Sequence, residues 1–150
     1  MTVAENTGRT LLQRVDRWLD HTFFAAMEVN VLAIPVLWFL LVAAHPAAVS
    51  LSAMTTLTVA SVAVGTFRGG YVDVGWWPKP GHLATLPVRA AYYGVVVALA
   101  TWVGVQVQLV TGSPWPGVGV PAVVSVAVLL AFPRFLARFE RLARIDPAWA

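Results

Sequence analysis

The chain divides into four long apolar stretches, and its basic residues fall only in every second gap between them. Arg9, Arg14 and Arg17 precede the first stretch. Arg68, Lys79 and Arg89 lie between the second and the third, and Arg134, Arg138, Arg141 and Arg144 follow the fourth. These are all ten basic residues of the 150-residue chain. The other two connectors, around His45-Pro46 and from Thr111 to Gly119, hold no acidic or basic residue. Short loops rich in Lys and Arg stay on the cytoplasmic side of a membrane. The pattern predicts a multi-pass protein of the cell membrane with four spans and both termini in the cytoplasm. One charge is out of place, Glu28, inside the first span.

Composition agrees with this reading. At 59% hydrophobic and 11% charged, the chain is too apolar for an ordinary soluble domain. The spans, about 22–44, 49–67, 85–110 and 118–133, leave no room for an extramembrane domain, so one transmembrane domain over 1–150 is expected. The net charge of +3 is explained by topology and gives no reason to invoke nucleic acid. Its further consequence is attraction to anionic membrane lipids. The absence of cysteine excludes disulfides, thiolate metal sites and a cysteine nucleophile. The Arg, Ala and Val bias points to a GC-rich prokaryotic genome.

The expected fold is an all-α integral membrane protein, a four-helix transmembrane bundle with a short amphipathic interfacial helix at each end. Thr10 and Gln13 have the spacing of a capping box. Leu11, Val15, Trp18, Leu19 and Thr22 then follow one helical face, apart from Arg14, Arg17 and Asp20. This lead-in is expected on the inner membrane surface, either separate from the first span or running into it. Thr22 to Ala44 is too long for a signal-peptide core and reads as a retained span. It covers about 34 Å as a helix, with Pro35 as the expected kink. At the other end, Phe135, Phe139, Leu142 and Ile145 segregate from Arg134, Arg138 and Arg141, as in an arginine-bearing surface helix.

Two stripes of small residues suggest where helices meet. Ser61, Gly65 and Gly69 are four apart on the second span, and Ala90, Gly94 and Ala98 are four apart on the third. Small residues at this spacing let helix backbones approach closely, so spans two and three are expected to pack through these stripes. Between them runs RGGYVDVGWWPKPGH, residues 68–82, which is rich in turn residues. Trp76, Trp77 and Lys79 suit a membrane–water interface, as do Tyr92 and Tyr93 in the third span.

Few residues offer chemistry. Glu28 lies roughly 9 Å inside its span. A carboxylate there is costly unless it is paired or protonated, and such groups face the bundle interior. It is either a proton- or cation-binding group or the ion-pair partner of Arg89, which enters span three at similar depth; a third reading lets it reach the cytoplasmic interface. Asn30 beside it suits an interhelical hydrogen bond. Arg68, Lys79 and His82 surround the start of span three, where an anion or lipid headgroup could bind, although topology alone accounts for them. His21 and His82 lie at one interface and His45 at the other, without metal-ligand spacing, so neither metal nor cofactor is expected. No catalytic arrangement can be assembled. The function expected is association, as an accessory subunit of a larger membrane complex or as a homo-oligomer. The alternatives are a small oligomeric proton- or cation-coupled transporter or channel using Glu28, and a membrane redox or enzyme subunit with a site in the 68–82 loop.

Overall fold

The computed structural model describes residues 3–75, 77 and 83–143. They form four helices and no strand: α1 (Val3–Leu40), α2 (Pro46–Arg68), α3 (Leu86–Thr111) and α4 (Pro116–Ala143). Each is long and apolar enough to cross a membrane, over 10–40, 46–68, 86–111 and 116–138 respectively. Proline and glycine set the boundaries. His45 is the residue before α2 and Pro46 its first, where the missing N–H removes no helical bond. A 3-10 turn over Leu83–Thr85 leads into α3, with Pro87 in its first turn. Gly112 ends α3 with φ +62°, and its N–H reaches the Gln108 carbonyl at 2.9 Å. That left-handed closure favours a residue without a Cβ.

The flanking amphipathic segments continue α1 and α4; they are not separate helices. Thr10 and Gln13 therefore lie within α1 and do not cap it. Pro35, Pro121 and Pro133 sit inside their helices without ending them. Side chains beyond residue 138, including much of the tail's expected apolar face, lie outside the described residues.

α2 and α3 form the inner pair, and α1 and α4 each pack against both of them. The contact face of α1 is Ala25, Val29 and Ala33, all fully buried. They recur every four residues, so they lie on one side of the helix. Opposite them are Leu57, Ala60, Val64 and Phe67 of α2 and Tyr93, Val96 and Val97 of α3, with Leu129 and Phe132 of α4 completing the core.

The small-residue stripes do different work from that expected of them. A Cβ on Gly65 would lie 2.6 Å from the Thr22 Cα, and one on Gly94 would lie 3.0 Å from Val36 Cγ2. Both partners are on α1. The two glycines admit α1 against the inner pair instead of drawing α2 and α3 onto each other. Gly69 seats the ring of Tyr71, which folds back to within 2.5 Å of where its Cβ would be. Ser61 is buried and bonds back to the Leu57 carbonyl at 2.7 Å, while Ala90 and Ala98 are half-buried. A close α3 approach does occur at Gly104, against Ser52 of α2 and Pro121 of α4.

Candidate functional site

The charged residues inside the bundle converge at the end where α2 stops and α3 starts. Glu28 lies beside Val29 at the edge of the buried face of α1. Arg68 is the last residue of α2 and Arg89 lies one turn into α3. Arg68 Nη2 donates to Glu28 Oε2 at 2.9 Å, and Arg89 Nη1 donates to Glu28 Oε1 at 2.6 Å. Each carboxylate oxygen thus accepts one charge-assisted bond from a different helix. The side chains of Arg89 and Arg68 are only 1% and 6% exposed, and that of Glu28 is 13% exposed. Three helices are tied through one carboxylate, and two guanidinium groups face a single negative charge.

Neighbouring contacts hold α1 at the same end. Trp18 Nε1 donates to Thr66 Oγ1 at 3.0 Å, and Tyr71 OH reaches the Arg14 carbonyl at 3.4 Å. The His21 ring stands edge-on to Tyr71, with its Nδ1 2.7 Å from the Arg17 carbonyl oxygen. Trp77 is not an interfacial residue: it is buried between Phe67 of α2 and Phe132 of α4, with ring centroids 5.5 and 5.1 Å away. Tyr93 likewise belongs to the core, at 1% exposure. Tyr92 donates its hydroxyl proton to the Val128 carbonyl and stacks against Phe132. The return of Trp77 to the core begins at the Gly69-Gly70 turn. Gly70 at φ +71° and Gly75 at φ +87° let the chain after α2 fold back over the bundle end.

The other expected site residues scatter. Arg68 turns inward to Glu28. Lys79 and His82 lie outside the described residues, as does Trp76. Asn30 faces outward on α1 and donates to the Ala26 carbonyl at 2.7 Å. His45 makes no side-chain cap to α2. Among the described residues, no group of three or more His, Cys, Asp and Glu could hold a metal ion.

A second polar tie, at the opposite end, had no role in the sequence reading. Gln108 of α3 donates from Nε2 to the Ala48 carbonyl at 3.1 Å and to Ser52 Oγ at 2.8 Å. Gly117 of α4 closes over it, since a Cβ there would collide with the Gln108 carboxamide. The signal was a glutamine in the last turn of the third apolar stretch, where an amide turned toward the bundle needs a partner.

Comparison with known proteins gives one family, described as Domain of unknown function (DUF8215), whose match covers residues 12–139. No curated protein and no solved structure matches the chain.

Proposed function

We propose that this chain, which belongs to the DUF8215 family, is a four-span protein of the cell membrane that works by association with a second copy of itself. Both termini are cytoplasmic in this reading. The alternation of basic and uncharged connectors supports that orientation. It sets the Glu28 end of the bundle toward the cytoplasm and the Gln108 end outside.

The observation that carries association is the position of Asn30. It is exposed in the middle of the apolar stretch 10–40, on a face shared with Phe23, Met27, Ile34 and Trp38, all exposed. The spacing of 23, 27, 30, 34 and 38 keeps these residues on one seam. One N–H of the carboxamide is used on Ala26. Its oxygen and second N–H have no partner among the described residues, and hydrocarbon supplies none. A carboxamide is both donor and acceptor, so two copies related by a two-fold axis satisfy each other. A lone polar residue in an apolar seam also fixes register. The small-residue stripes are occupied within the chain, so association runs through this bulky face of α1. The transporter reading draws less support, because both oxygens of Glu28 already accept from arginines.

The chain has no cysteine, which makes cross-linking a direct test. Ile34→Cys should give a disulfide-linked dimer on oxidation in native membranes, whereas Val123→Cys, exposed on α4, should not. Asn30→Leu should weaken the Ile34→Cys cross-link. Equal cross-linking at both positions, or none at Ile34→Cys, would remove the α1 seam, and a cross-link to a different protein would make the chain an accessory subunit.

A further inference from the structure

The buried cluster at the Glu28 end has more donors than acceptors. Glu28 takes one N–H from each arginine, yet Arg68 keeps both Nε and Nη1 buried without an acceptor. Trp77 Nε1 and the Tyr93 hydroxyl are also buried and unpartnered. The Tyr93 hydroxyl lies beside the Trp77 side chain without closing a hydrogen bond to it, and within electrostatic range of Glu28, Arg68 and Arg89. These groups come from α2, from the connector after it and from α3, so no one helix end accounts for them. Among the described residues, two guanidinium groups share one carboxylate, a formal charge of +1. Asp16, Asp20 and Asp73 are exposed and do not offset it. A buried donor without a partner is destabilising, and an uncompensated buried charge more so.

Among the described residues, what the cluster lacks is both acceptor atoms for Arg68 and one negative charge. Water would supply only the first, and a cation would be repelled. We infer that Arg68, Tyr93 and Trp77 form a binding site for an oxyanion of the carboxylate or phosphate type, bound against the Glu28 ion pairs. Guanidinium N–H groups match the paired oxygens of such anions better than a halide. A dissolved anion and the headgroup of an anionic lipid present the same chemistry. The inference does not depend on association through α1.

The test is thermal unfolding of delipidated protein in a neutral detergent, followed by tryptophan fluorescence at constant ionic strength, with chloride as the reference anion. The probes are inorganic phosphate, acetate, and mixed micelles containing phosphatidylglycerol with phosphatidylcholine as control. Saturable binding should raise the melting temperature by about 5 °C or more at a hundredfold excess over Kd. A rise with phosphate or acetate identifies a dissolved anion, and a rise with phosphatidylglycerol alone identifies a lipid. Arg68→Gln should abolish the rise while Glu28 and Arg89 remain a neutral pair. Tyr93→Phe, which keeps the ring, should move half-saturation to about five- to tenfold higher concentration. No saturable rise with any probe, or a rise unchanged in both variants, would overturn the site.

Discussion

Replacing Glu28 by glutamine should be among the most damaging isosteric changes available to this protein, and the reason lies in charge count. Glu28 is the acceptor in two ion pairs, at 2.9 and 2.6 Å, to arginines that are 6% and 1% exposed. Glutamine keeps the volume, but it faces one arginine with an oxygen and the other with an N–H. Two like charges are then buried together without a carboxylate between them. Removing one member of a buried pair costs about 3–5 kcal/mol, which for a chain of this size lowers the melting temperature by about 10 °C. Arg68→Gln removes one charge-assisted bond but leaves a neutral Glu28–Arg89 pair, so its cost should stay near 1–2 kcal/mol. Combining Glu28→Leu with Arg68→Met and Arg89→Met should recover most of the loss, since apolar side chains of similar volume replace buried ion pairs well. Melting curves of the variants in detergent, followed by tryptophan fluorescence, give the order directly. If Glu28→Gln melts within about 2 °C of the parent, or if Arg68→Gln is the worse of the two, the clamp argument fails.

Other expectations concern the close approaches. Gly65→Ala should cost about 1–3 kcal/mol, because its Cβ would meet backbone of α1 at 2.6 Å; an unchanged melt would show that α1 can shift freely. Gly69→Ala meets the Tyr71 ring and, at 3.2 Å, the Gly65 carbonyl oxygen; the exposed ring can swing aside at the expense of its Arg14 contact, so the loss should be smaller than that of Gly65→Ala in the same assay. Gln108→Leu removes the amide that ties α3 to Ala48 and Ser52 and should lower stability by about 1–2 kcal/mol. A stability gain would show that the amide tie is dispensable.

The four helices were legible because apolar run length and Pro/Gly punctuation act locally. Pro46 opens α2 and Gly112 closes α3 at the residues where their backbone chemistry demands it. What a helix face meets is not local. Ser61, Gly65 and Gly69 mark one side of α2, but the same period of four suits α1 as well as α3. The choice fell to α1, which brings its own small face of Ala25, Val29 and Ala33, a stripe that reads in the sequence as ordinary apolar filling. Long side chains at helix ends are ambiguous for a related reason. Arg68 could have reached outward to a headgroup as easily as inward, and only the arrival of Glu28 from a distant segment decides its direction. Trp77 misled in the same way: beside Lys79 it resembles an interfacial aromatic, and the Gly70 turn instead returns it to the gap between Phe67 and Phe132.

The two polar ties divide the bundle unequally, and this has a consequence for how it opens. Gln108 joins α2 and α3 under the cover of Gly117 of α4, so three helices are held at that end. Helix α1 has no polar contact there among the described residues. From Ile34 onward it buries only parts of Val36, Leu37 and Leu40 against the core. Its attachment depends on the other end, on Glu28, on the Trp18–Thr66 bond and on Thr22 against Gly65. Local stability follows such contacts, and segments with few of them open first. Hydrogen exchange on Glu28→Gln should therefore show protection lost across residues 30–40 while the amides of 52–64 and 96–108 stay protected. Uniform loss across all four helices would mean that the ion cluster holds the whole bundle and not α1 alone, and that α1 is no separable element.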